Sequence, residues 1–147
     1  MKGLKERIYK VKVKLERDMI FKYDLGELKL RECIIDETNK VESEMLGPNA
    51  AHLVTMAVLG CLSSSYIFCF NKKGFSVEDL EAEANITIFR NAKGFQRVKK
   101  IDVSINPKID SPEMRKRAVQ CQKMFEQYCT ITASIREGIE VNVNIDS

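Results

Sequence analysis

From Lys10 to Glu16 the chain alternates. Val11, Val13 and Leu15 fall on one side, and Lys10, Lys12, Lys14 and Glu16 on the other. Period two marks a strand with one wet face. Phe21, Tyr23 and Leu25 repeat the pattern, Asp24-Leu25-Gly26-Glu27 carries a turn signal, and Leu28 to Ile35 returns as a third strand. Thr38 to Leu46 is polar and reads as a loop. Gly47-Pro48-Asn49 then punctuates the chain, with Asn49 placed to cap a helix from about Ala50 to about Asn71. Lys72-Lys73-Gly74 ends that helix with basic residues and a glycine stop.

The alternation resumes in Leu80, Ala82, Ala84, Ile86 and Ile88, turns at Asn91-Ala92-Lys93-Gly94, and returns in Ile101, Val103 and Ile105. This predicts an antiparallel hairpin with one solvated face. Ser111-Pro112-Glu113 has the capping residue, proline and acidic first turn of a second helix. Its apolar stripe is Met114, Ala118, Cys121, Phe125 and Tyr128. A short helix from about Thr130 to Arg136 stops at Gly138, and Ile139, Val141, Val143 and Ile145 predict a last half-buried strand. Hairpins of strands with few helices give an α+β class with antiparallel sheet, in one domain spanning 1–147.

No Asp, Glu, Lys or Arg occurs between Gly47 and Asn71, and about 20 apolar residues suffice to span a bilayer. Pro48, Asn49, His52 and Ser63-Ser64-Ser65 dilute the stretch, and the strands around it need a helix to cover them. A central helix, apolar nearly all round, is the expectation, with no membrane partner. Such a helix is better buried inside a dimer, with sheets wrapped around paired helices.

Composition narrows the function classes. The chain is 44% hydrophobic and 31% charged, as in a folded globular protein. A net charge of +3 is too mild to imply nucleic acid. Met1-Lys2-Gly3-Leu4 is not followed by the apolar run of a secretory signal, so a cytoplasmic protein with reduced thiols is expected. A single histidine and no CxxC leave little scope for zinc, and no metal or cofactor is expected. The five cysteines, at 33, 61, 69, 121 and 129, do not have the spacing of a disulfide framework.

Cys33, Cys69 and Cys121 read as small buried hydrophobes. Cys69 lies eight residues from Cys61, roughly 12 Å along one helix, too far for those two to bond. Cys129 precedes the short helix, where N–H groups and the positive dipole end lower a thiol pKa. Cys61 is mid-helix and would need a nearby cation to ionise at neutral pH. On pattern alone, Cys61 and Cys129 fit a peroxide-reducing pair or two plain core cysteines equally well.

Gly47-Pro48-Asn49, Leu59-Gly60-Cys61, the hairpin, Tyr128-Cys129 and the tail Ser134-Ile135-Arg136-Glu137-Gly138-Ile139-Glu140-Val141 together resemble the OsmC/Ohr family of thiol-dependent hydroperoxide reductases. The resemblance covers nearly the whole chain. It implies an intertwined homodimer with active sites at the interface, Cys61 as the peroxidatic thiol and Cys129 as the resolving one. It also implies an organic hydroperoxide substrate and an external dithiol reductant, such as a lipoylated protein. The family's activating arginine best matches Arg17, with Arg31 in reserve; either can instead be an exposed strand charge. The chain departs from the family at Ala50-Ala51, where the hydroperoxide-resistance branch has Pro-Glu, and at His52, where other branches carry the glutamate. Leu53, Met56, Ala57, Val58 and Leu62 are the expected apolar lining around Cys61. The alternative reading is a weakly active or non-catalytic module in the same fold, holding a thiol-bearing anion such as coenzyme A.

Overall fold

A computed structural model describes residues 6–18, 20–28, 30 and 34–146, and divides the chain into two compact units, Met1–Leu53 and Val54–Ser147. In the first unit β1 (Lys12–Arg17), β2 (Ile20–Asp24) and β3 (Ile34–Asp36) form an antiparallel sheet in the order β1-β2-β3. Leu15 lies opposite Phe21, and Arg17 opposite Ile20, with a bulge between. Much of the expected strand from Leu28 to Ile35, with Arg31 and Cys33 in it, lies outside the described residues. The polar stretch that follows contains one short 3-10 turn, Glu42–Glu44.

Asp36 organises this loop. Its Oδ1 accepts from the Thr38 N–H at 2.9 Å and the Thr38 hydroxyl at 2.5 Å, and its Oδ2 from the Leu46 N–H at 2.9 Å. Next to it the chain must pass very close to β3: a Cβ on Gly47 would sit 2.3 Å from the Ile34 carbonyl oxygen, so only glycine fits. Donation from the Leu46 N–H, the Thr38 hydroxyl and the Thr38 N–H, in that order, lowers the Asp36 carboxyl from 3.8 to about 2. A depressed carboxyl stabilises the fold above its ordinary pKa, and that stabilisation is lost as pH falls through the folded value. Stability is therefore expected to decline between about pH 4 and pH 2, and Asp36→Asn to remove that part of the decline. Acid titration followed by circular dichroism checks this; identical acid profiles for the two proteins would refute it.

The long helix α1 (Ala50–Asn71) has the bounds its composition predicted. Asn49 caps it by accepting the His52 N–H at Oδ1, 2.9 Å, and the Asn49 N–H returns to His52 Nδ1 at 3.2 Å. This is a reciprocal capping box with histidine in the usual Glu/Gln place. Although α1 is long and apolar enough to cross a membrane, Val58, Leu62, Ser65, Tyr66, Cys69 and Phe70 form a buried stripe along it. The opposite face leaves Met56 and Phe68 61% and 49% exposed.

In the second unit β4 (Leu80–Arg90) and β5 (Gln96–Pro107) form an antiparallel hairpin. Asn91 makes its turn, Oδ1 accepting from the Lys93 and Phe95 N–H groups, with Gly94 at φ 84°. Leu80, Ala82, Ala84 and Ile86 share the inner face with Ile101, Val103 and Ile105. A bulge leaves Lys99 unpaired between Val98 and Lys100. The helix α2 (Pro112–Met124) is capped by Ser111, whose Oγ accepts from the Met114 N–H at 3.0 Å. It gives way to a 3-10 turn, Phe125–Tyr128, so the end of the predicted stripe is carried by a tighter coil. Cys129 then caps α3 (Thr130–Glu137), which ends at Gly138. The core of this unit is Tyr66, Cys69, Phe70, Met114, Ala118 and Cys121. Antiparallel strands with three α-helices make the α+β class that the alternation predicted.

Two expectations are corrected. The last strand does not form: Ile139, Val141, Val143 and Ile145 are 58%, 76%, 79% and 85% exposed, with no strand beside them among the described residues. The alternation is there, but a strand exists only when its N–H and C=O groups find a neighbouring ladder. The second correction concerns Cys69 and Cys121. They are bonded to each other as a disulfide, with Cα atoms 5.8 Å apart, and are not plain buried thiols.

Candidate active site

Cys61 and Cys129 are the two free cysteines among the described residues, and each shifts the ionisation of the other. Cys61 comes from the middle of α1 and is partly exposed; Cys129 sits at the N-terminus of α3 and is fully buried against Val58 and Leu62. The Cys129 S–H donates to the Thr132 hydroxyl oxygen at 3.1 Å, and the sulfur accepts the Thr132 N–H at 3.4 Å. Ser65, one turn beyond Cys61, donates to the Cys61 carbonyl at 2.7 Å and favours the ionised form of both thiols.

These surroundings divide the two thiols. Burial pushes Cys61 up, and the bond to Cys129 adds to the rise, against smaller help from the Ile131 N–H and Ser65. Burial would also raise Cys129, but hydrogen bonds from Cys61, from the Thr132 hydroxyl and N–H, and from Ser65 outweigh it and leave that thiol below its ordinary value. The pair therefore ionises first at Cys129, where a helix N-terminus supplies donors.

Beside the pair lies a cavity of about 610 Å³. Val58 and Leu62 of α1, Ile101, Val103 and Ile105 of β5, and Phe125 line it, and Thr132 joins it to Cys129. Neither sulfur is part of the wall. Lys99, Lys100 and Arg136 give it a basic rim. The bulge at Lys99 is what lets consecutive residues Val98 to Ile101 all reach the same cavity, since a regular strand would turn every second one away. Two rim cations are already paired, Lys100 with Asp102 at 3.0 Å and Arg136 with Glu126 at 2.7 Å.

Of the expected lining, Val58 and Leu62 are in place, while Met56 and Ala57 point to the exposed face of α1. One helix face cannot hold the three successive positions Met56, Ala57 and Val58. Arg17 ends β1 in the first unit and is exposed; Arg31 lies outside the described residues. His52 is occupied as a cap, and its Nε2 lies 3.4 Å from Glu42. A carboxylate does reach the start of α1, but it is Glu37, which accepts the Ala50 N–H at 2.5 Å. Sequence reading passed over Glu37, Ser65 and Thr132. The last two had a usable signal, lying four residues after Cys61 and three after Cys129 on helical spacing.

A family model described as OsmC-like protein matches residues 41–144. The chain belongs to the OsmC-like protein family. Among solved structures, this OsmC-like chain is similar to the organic hydroperoxide resistance protein OhrB of Bacillus subtilis, at 17% identity and a TM-score of 0.63, over 87% of this chain and 90% of that one. It is also similar to an OsmC-like protein from Mycoplasma pneumoniae, at 10% identity and a TM-score of 0.71, over 90% and 89%. A third likeness is to an OsmC-like protein of unknown function from Vibrio cholerae, at 13% and 0.69, over 88% and 94%. At these identities the likeness is one of fold. No match is found among curated proteins.

Proposed function

We propose that this OsmC-like protein is a thiol-dependent peroxidase that reduces organic hydroperoxides in oxidative-stress defence in the cytoplasm. The observation that carries the reading is the pair of free, mutually coupled thiols, Cys61 and Cys129, beside an apolar cavity. The Cys61 thiolate attacks the distal peroxide oxygen, the O–O bond breaks, and the alkoxide leaves as an alcohol after taking a proton. Cys61 is then a sulfenic acid. Cys129 attacks its sulfur, water leaves, and the Cys61–Cys129 disulfide forms. An external dithiol, such as a lipoylated protein, returns both thiols.

Cys61 takes the peroxidatic role because it is the partly exposed member, and the buried, low-pKa Cys129 suits the second attack. Arg17 is assigned to hold Cys61 as thiolate, since burial alone pushes that thiol up. The organic hydroperoxide resistance protein among its fold relatives agrees with this chemistry. A homodimer is part of the reading. The bare apolar face of α1 and the unpaired alternation of Ile139 to Ile145 both call for a partner surface.

Addition of one equivalent of cumene hydroperoxide is expected to remove two free thiols per chain, counted with Ellman's reagent. Peptide mapping should then find Cys61 joined to Cys129. An unchanged thiol count would sink the proposal. The basic rim of Lys99, Lys100 and Arg136 favours the second reading, an OsmC-like module binding a thiol-bearing anion such as coenzyme A. Calorimetric binding of coenzyme A without any thiol loss to peroxide would select that reading.

A further inference from the structure

Arg117 of α2 is 5% exposed, and among the described residues no carboxylate pairs with it. A buried guanidinium without a counter-ion is expensive, because its desolvation is offset only by neutral acceptors. Those acceptors are the Cys69 carbonyl, at 3.1 Å from Nε and 2.6 Å from Nη2, and Gln120 Oε1, at 3.2 Å from Nη1. Nη2 also points at the Cys69 sulfur, 3.4 Å away. That sulfur is bonded to Cys121, one helical turn beyond Arg117 on the same helix. The missing anion and the sulfur that could become one are thus already in contact.

We propose that Cys69 and Cys121 are a second reversible thiol–disulfide couple of this protein, in which Arg117 is the counter-ion of a Cys69 thiolate. The couple exchanges with an external dithiol. A thiolate of the reductant attacks the Cys121 sulfur, the Cys69–Cys121 bond breaks, and Cys69 leaves as the thiolate that Arg117 stabilises. The second reductant thiol attacks the mixed disulfide, releasing Cys121, which takes a proton. One S–S bond is lost and one is made in the reductant; of its two protons, one ends on Cys121 and one in solvent. The reverse sequence, with the oxidised dithiol, closes the bond.

The charges around the pair set the direction. Cys69 is near the C-terminus of α1, where about half a negative charge of helix dipole opposes a thiolate. Arg117 brings a full positive charge to hydrogen-bond distance and outweighs it. In the buried cluster the one other titratable side chain is Tyr66, a neutral phenol donating to the Ala118 carbonyl. The remaining neighbours, Phe70, Met114, Phe75, Leu80 and Ile105, are apolar. Both sulfurs are fully covered, so exchange passes through local opening and an equilibrium is the clean measurement. The couple is separate from Cys61–Cys129: Cys69 is two turns, roughly 12 Å, along α1 from Cys61. It ties the helix that carries Cys61 to the helix that leads to Cys129.

The test uses the full chain with Cys33, Cys61 and Cys129 replaced by serine, so that its outcome does not depend on the peroxidase reading. This protein is equilibrated with reduced and oxidised dithiothreitol between pH 6 and pH 8, quenched with acid and counted by mass. Because reduction releases one proton, the equilibrium constant for reduction is expected to rise about tenfold per pH unit. Arg117→Lys should keep most of the rise, and Arg117→Met should flatten it. A purely structural Arg117, serving only to cap the Cys69 carbonyl, predicts a flat profile in the parent protein as well. That flat profile, or no Cys69–Cys121 disulfide in oxidised dithiothreitol, would overturn the proposal even if Arg117→Met does not fold.

Discussion

Replacing Cys61 with serine is expected to abolish consumption of organic hydroperoxide, by a factor on the order of 10³ or more, because a serine hydroxyl does not ionise at any accessible pH and leaves no anion to attack with. Cys129→Ser is expected to behave differently. The first oxidation still occurs, but the sulfenic acid on Cys61 has no thiol to condense with, so it accumulates and reacts with dimedone. The rate of that first oxidation carries further information. In the wild type the Cys129 pKa is lowered and Cys129, beside Cys61, raises the pKa of Cys61. Serine in its place removes the charge but leaves an acceptor, so the Cys61 ionisation should move down and the pH profile of the first oxidation with it. Stopped-flow traces with cumene hydroperoxide between pH 5 and pH 9 read both effects. Full activity in Cys61→Ser would reassign the attack to Cys129 and remove the basis of the proposed roles.

The elements bounded by local signals were legible in the sequence. Asn49 and Gly74 bracket α1, Ser111-Pro112 opens α2, and Asn91 with Gly94 turns the hairpin, each by chemistry confined to a few residues. Elements that depend on distant partners were not. Ile139 to Ile145 carries a full strand alternation and forms no strand, because pairing is decided by an edge elsewhere. The site was legible as two cysteines but not as a set of donors. Ser65 looked like dilution in an apolar run, but it bonds the Cys61 carbonyl and lowers both thiols.

The Cys69–Cys121 bond was hidden for the same reason. Odd cysteine number and irregular spacing argue against a framework, yet a disulfide needs only one pair of Cα atoms at the right separation. The buried faces of α1 and α2 bring these positions to 5.8 Å, and only the α2 face was marked out by its spacing. Arg117 sits on the α2 stripe, four residues before Cys121. A charge on an apolar stripe beside a cysteine is the pattern that would have flagged it.

Joint replacement of Cys69 and Cys121 by alanine is expected to destabilise the oxidised protein by about 4 kcal/mol. The cross-link spans 52 residues, and a loop of that length removes about this much chain entropy from the unfolded state. The melting temperature should fall by on the order of 10 °C. Dithiothreitol should bring the wild type only part of the way down. Reduction removes the same constraint but creates the Cys69 thiolate, which pairs with Arg117 in the folded state, whereas the alanine protein leaves that guanidinium buried with neutral acceptors. The expected order of stability is oxidised wild type, reduced wild type, double alanine variant, each measured by guanidinium unfolding at pH 7. Adding Arg117→Met to the alanine pair should recover part of the loss by removing the orphaned charge. Equal stability of the oxidised wild type and the alanine variant would show that the clasp contributes nothing to holding α1 against α2.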